Sequence, residues 1–74
     1  MKLTAEIKVL GDGEKLYLCF EPEQNNQKRS NFKLIKKEDG VVFEIKAEDS
    51  TALRATMNGI TKLITVYEKV NNHE

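Results

Sequence analysis

"EKLYLCFEPE", Glu14 to Glu23, is the segment on which the fold turns. By propensity, its "LYLCF" core is strand-like, rich in aromatic and apolar residues. Wound as a helix, it places Leu16, Cys19 and Phe20 on one face with Tyr17 on the flank. Periodicity does not separate a helix from a strand in so short an apolar run. Pro22 ends the element either way. To its left, Leu3, Ala5, Ile7 and Val9 alternate with Lys2, Thr4, Glu6 and Lys8, the period of a strand with one buried face. "GDG", Gly11 to Gly13, breaks that strand, and Asp12 can cap a helix beginning beside it. To its right, Glu23 to Asn31 is polar and reads as a loop.

A hairpin follows. "NFKLIKKEDGVVFEIKA" places Asp39-Gly40 between two apolar-periodic runs, a strong short-range hairpin signal. If Asp39 and Gly40 form the turn, Glu38 opposes Val41, Leu34 opposes Ile45, Phe32 opposes Ala47, and Phe43 faces Lys36. Phe32, Leu34, Val41, Phe43, Ile45 and Ala47 then share one face, which a one-residue slip would scatter. Lys33 and Lys37 lie on the outward face with Ile35 between them, and Lys46 joins them from the next strand.

The last element is a helix with Asp49 as its N-cap. At 100° per residue, Leu53, Met57, Ile60, Ile64 and Tyr67 form one stripe. Ala52, Thr56, Gly59, Leu63, Val66 and Val70 form a second beside it. Arg54, Asn58, Thr61, Thr65 and Glu68 take the polar side. The apolar arc spans about half the circumference, wider than the roughly 100° stripe of a surface helix. One stripe can pack on the sheet and leave the other for a partner, unless the sheet curves to take both. Gly59 is a costly residue for a helix interior, by about 1 kcal/mol relative to alanine. On the small-residue stripe it permits close approach of a neighbour.

Composition narrows the function. With 74 residues the chain holds one domain at most. A core of that size supplies only about 3–5 kcal/mol, so such chains often add disulfides, a metal or a partner. Cys19 is the sole cysteine and His73 the sole histidine, which leaves neither an internal disulfide nor a four-ligand zinc site. A partner subunit remains. The 12 basic and 12 acidic residues balance, unlike the strongly basic signature of an autonomous nucleic-acid binder. "MKLTAEIKVL" alternates and reads as neither a signal peptide nor a membrane span. The expectation is an intracellular, cytoplasmic protein without membrane association.

Catalytic chemistry finds no support. His73 sits in a terminal tail, and Cys19 on an apolar face reads as a buried structural thiol. "GDGE" lacks a dinucleotide fingerprint. The acidic neighbours Glu21/Glu23, Glu38/Asp39 and Glu48/Asp49 fall in turns and caps. The expectation is no enzyme, no cofactor and no metal.

"EPE" (Glu21 to Glu23), a polar loop, "KRS" (Lys28 to Ser30), a hairpin and then "IKAEDSTALRATMN" (Ile45 to Asn58) together resemble a known small family. This is the smallest, dimerisation subunit of the KEOPS complex, in the CTAG and polarized-growth chromatin-associated controller family, here of archaeal type. The resemblance runs from about Leu3 to Val70. It implies an α+β fold ordered strand-helix-strand-strand-helix, with two helices on one face of a three-stranded antiparallel sheet. The whole chain, 1–74, is then one domain with strand 2–10, helix 12–22, strand 31–38, strand 41–48 and helix 50–70. On that reading Glu14 to Glu23 is a helix.

The resemblance also implies function. Such proteins are non-catalytic scaffolds that form homodimers and dock the threonylcarbamoyltransferase subunit through a helical bundle. The kinase and the other KEOPS subunits associate indirectly. The complex makes threonylcarbamoyladenosine in tRNA, and the small subunit helps to hold that tRNA. By position, the partner interface draws on Leu53, Arg54, Met57, Asn58, Gly59, Ile60 and Ile64, with Leu16, Tyr17 and Phe20. Lys28, Arg29 and Lys33 are the candidates for tRNA contact. Two alternatives stand beside the scaffold: a stand-alone RNA-binding module, and a paralogous subunit that caps the dimer. Single-strand readers use aromatic platforms or a glycine clamp loop. Phe32 and Phe43 are expected to face inward, and the chain has no G-x-x-G, so the scaffold is favoured.

Overall fold

The alternation of apolar and polar residues from Leu3 onward produces β1 (Leu3–Leu10), whose odd-numbered residues are half-buried and whose even-numbered ones are exposed. The computed structural model describes residues 2–21 and 30–71. After β1 come α1 (Gly13–Phe20), β2 (Ser30–Lys37), β3 (Gly40–Ala47) and α2 (Ser50–Asn71). This is the expected α+β order. The three strands form an antiparallel sheet with β3 in the centre, in the order β1-β3-β2. Both helices pack on β2 and β3, and α2 also reaches β1.

Glu14 to Phe20 is helical, and the sequence around it shows why. The Asp12 carboxylate accepts from the Lys15 amide at 3.2 Å, and the Asp12 carbonyl accepts from Leu16 N–H at 2.9 Å. Glu14 adds a negative charge to the first turn, where the helix dipole favours it. Gly13, Leu16 and Phe20 are buried. A strand would have put Leu16, Leu18 and Phe20 on one face, yet Leu18 is 66% exposed.

Cys19 corrects an expectation, because it is exposed rather than buried. The buried face of α1 is centred between Gly13, Leu16 and Phe20, and half-buried Tyr17 extends it on the side away from Cys19. Gly13 sets this rotation. It lies so close to the hairpin that an added Cβ would overlap the Lys37 carbonyl.

The hairpin register also differs from the expected one, by two residues. Lys37 pairs with Gly40, Lys36 with Val41, Leu34 with Phe43 and Phe32 with Ile45. The turn is therefore Glu38-Asp39. Gly40 is a strand residue with φ 155°, pressed against β1 where a Cβ would overlap the Val9 carbonyl. The Gly11 amide fastens the turn by donating to the Asp39 carbonyl at 2.8 Å. A shift of two preserves the face of every side chain, so Leu34, Val41, Phe43, Ile45 and Ala47 are all buried as their pattern requires.

The core joins Leu34, Val41, Phe43 and Ile45 of the sheet to Leu16 and Phe20 of α1 and Ile60 of α2. An aromatic chain runs through it. Phe20 lies 5.4 Å from Phe43 and 5.5 Å from Tyr67, and Phe43 lies 5.6 Å from Phe32, all tilted. Such ring pairs stabilise beyond their buried area, by about 0.5–1.5 kcal/mol each. At the start of α2 the Asp49 carboxylate accepts from the Ala52 amide at 2.8 Å, the expected N-cap.

Candidate interaction surface

The two stripes of α2 meet different surroundings. Ile60 is 1% exposed, and Leu53, Met57, Ile64 and Tyr67 are half-buried against the core. The second stripe begins against the sheet and then leaves it. Ala52 is buried, Thr56 is half-buried and Leu63 is half-buried against the core, whereas Gly59 is exposed and Val66 and Val70, at the far end, are 60% and 69% exposed. Length contributes to this. Twenty-two helical residues rise roughly 33 Å, against about 27 Å for an eight-residue strand.

The residues expected at a partner interface divide accordingly. Arg54, Asn58 and Gly59 are exposed, and Leu53, Met57, Ile64 and Tyr17 are half-buried. Leu16, Phe20 and Ile60 are buried in this chain's own core and support that surface from beneath. An added Cβ on Gly59 would meet nothing within 4 Å among the described residues, so none of them packs against that position. Leu18 is the apolar residue that the sequence reading passed over. Its position opposite Leu16 on α1 could have flagged it once that segment was read as a helix.

The polar side of α2 is internally tied. Thr61 donates to the Asn58 carbonyl and Thr65 to the Thr61 carbonyl, each at 2.9 Å. These bonds turn the hydroxyls back onto the helix.

The opposite face of the sheet carries Thr4, Glu6, Lys8 and Leu10 of β1, Val42, Glu44 and Lys46 of β3, and Asn31, Lys33, Ile35 and Lys37 of β2. Lys33, Lys37 and Lys46 are exposed there, as their alternation implied. Lys28, Arg29 and His73 lie outside the described residues. At the Ser30 end of β2 the sheet holds a cleft of about 330 Å³ bordered by Lys2, Thr4, Ser30, Asn31, Lys46 and Glu48.

Among the described residues, no group of three or more His, Cys, Asp or Glu side chains is placed to hold a metal ion. No described helix is long and apolar enough to cross a membrane.

Comparison with known proteins adds one match. A family described as "Transcription factor Pcc1" matches residues 15–72, which take in most of α1, the hairpin and α2. No curated protein and no solved structure matches significantly. With most of its length covered, from the capped α1 to the far end of α2, the chain belongs to the Pcc1 family, the family of KEOPS subunits that its motifs resemble.

Proposed function

We propose that this chain is the non-catalytic scaffold and dimerisation subunit of a KEOPS complex that makes threonylcarbamoyladenosine in tRNA. It docks the threonylcarbamoyltransferase subunit through its helices, pairs with a second copy, and helps the assembly to hold tRNA. The kinase and remaining subunits associate with it indirectly. The supporting observation is the helical flank. Leu18 of α1 and Val66 and Val70 of α2 are exposed, and Leu53, Met57 and Ile64 are half-buried beside exposed Arg54, Asn58 and Gly59. Apolar helix faces of this kind fit a partner that completes a helical bundle.

A stand-alone RNA-binding module is the competing reading, and the matched family's description as a transcription factor points to nucleic acid as well. Aromatic placement weighs against a single-strand reader. Phe32 and Phe43 pack into the core, and the other three aromatics are on the helices, so the open sheet face offers no stacking platform. The balanced net charge weighs the same way.

Co-purification with the transferase subunit, followed by mass measurement, tests the reading. The expected outcome is one complex containing both chains. Val66→Asp with Val70→Asp, at exposed positions, should leave circular dichroism unchanged and weaken that complex about tenfold or more. A chain that ignores the transferase but binds tRNA tightly by itself would overturn the reading in favour of the RNA module.

A further inference from the structure

β2 is an outer strand: one side pairs with β3, and no described strand borders the other. Such an edge offers a row of unpaired backbone N–H and C=O groups to an extended segment that fits. The side chains of β2 decide what fits. Lys33, Lys36 and Lys37 are exposed, and the strand has no acidic residue. Lys33 stands across from Glu44 of β3, but Lys36 stands across from Val41 and Lys37 from Gly40, so β3 sets no carboxylate opposite those two. Glu38 and Asp39 follow them in the turn. Lys33 and Lys37 lie on the open face, and Lys36 on the helix-covered face with Val41. Phe32 and Ile35, each half-buried, add one apolar side chain to either face. Cations on both faces of one edge suit a strand, whose own side chains alternate between faces. A phosphate backbone lying on the open face would meet Lys33 and Lys37 but not Lys36.

We propose that the β2 edge takes up an extended acidic segment of another protein, which joins the sheet as an antiparallel fourth strand. Strand addition of this kind draws affinity from main-chain hydrogen bonds and specificity from the side chains alongside. Read from its N-terminus, the segment places carboxylates beside Lys37 and Lys36, apolar residues beside Ile35 and Leu34, a carboxylate beside Lys33 and an apolar residue beside Phe32. Opposite charges directly across a strand pair stabilise it, and like charges destabilise it. The spacing of the lysines also fixes the register, because any slip along β2 keeps at most one of the three charge pairs. A one-residue slip moreover turns every side chain of the segment to the other face. This chain does not contain the pattern. Its adjacent acidic pairs, Glu38-Asp39 and Glu48-Asp49, are followed by Val42 and Ala52 where the third carboxylate belongs. A second β2 would set lysines among lysines, a recognised deterrent to pairing. The occupant is therefore a different protein. The assignment rests on the charges of β2 alone and is independent of where the transferase docks.

A labelled peptide, Asp-Asp-Val-Val-Glu-Val-Thr, tests this by fluorescence anisotropy on the full chain. It should bind the original chain and slow amide exchange within Ser30–Lys37 while exchange in β1 stays unchanged. Lys36→Glu with Lys37→Glu, both at exposed positions, should leave circular dichroism native and weaken binding about tenfold or more. Lys36→Gln with Lys37→Gln removes the charges without reversing them, and its affinity should fall between the two. The charge-reversed peptide, Lys-Lys-Val-Val-Glu-Val-Thr, should prefer the glutamate variant to the original chain, the opposite order to the first peptide. An original chain that does not bind the acidic peptide, equal binding by all three chains, or slowed exchange that spares β2 would overturn the assignment. So would a short RNA duplex that binds the original chain where the peptide does not and is lost with the same substitutions, which would give these lysines to phosphate instead.

Discussion

Ser30 and Thr56 hydrogen-bond to each other through their hydroxyls, joining the first residue of β2 to the second turn of α2. Ser30 is buried, and Thr56 is half-buried. The contact spans 26 residues of sequence and unites two of the motif fragments that carry the family resemblance, through the last residue of "KRS" and the threonine of "ALRATMN". A buried hydroxyl needs a partner, and this one finds it on the helix.

Thr56→Val should therefore leave the Ser30 hydroxyl buried and unpaired. The expected cost is about 1–3 kcal/mol, measured by urea denaturation. Ser30→Ala removes the other partner. The double variant should lose clearly less than the sum of the two single losses, because no orphaned group then remains. Strict additivity would show that the hydroxyl pair contributes nothing to stability.

The element order was readable because it rests on periods and punctuation. Leu3 to Val9 alternates, Asp39-Gly40 interrupts two apolar runs, and Asp49 precedes a helical pattern. The hairpin register was not readable, because the turn rule weighs local backbone preference alone. Gly40 answers to a contact distant in sequence, the close approach of the Val9 backbone. The face assignment survived because the error was a whole pleat. Cys19 was misplaced for a related reason. Periodicity defines the faces of α1, but the seating of Gly13 on the hairpin decides how that helix is rotated. On α2 both stripes were legible at 100° per residue. Which one turns to water depends on where the helix crosses the sheet, and no local pattern encodes that.

Lys28 and Arg29 carry the tRNA expectation together with Lys33, which stands exposed on the open sheet face. Lys28→Glu with Arg29→Glu should weaken tRNA binding by the assembled complex. If both residues contact phosphate, the slope of log K against log salt should become shallower by roughly 1–2, since each phosphate contact releases most of one counterion. Lys33→Glu should reduce the slope by less than about 1. Affinity and slope unchanged in all three substitutions would leave these cations as ordinary solubilising charges.

Two glycines separate packing inside the chain from packing against a partner. Gly13 opens α1, where alanine would gain about 1 kcal/mol of helix propensity. Its Cβ, however, would overlap the Lys37 carbonyl and stand 2.8 Å from the Gly40 carbonyl, both of them backbone atoms of the hairpin. Gly13→Ala should therefore destabilise the chain by about 1–3 kcal/mol, the usual cost of overpacking. Gly59 has no described residue within reach of an added Cβ. Gly59→Ala should stabilise the isolated chain by about 0.5–1 kcal/mol and raise its melting temperature by roughly 2–8 °C. Gly59→Leu should also fold. If the exposed flank of α2 is the docking face, the leucine should weaken transferase binding while the isolated chain keeps its stability. Gly59→Leu binding the transferase as tightly as the original chain would move the interface off this part of α2.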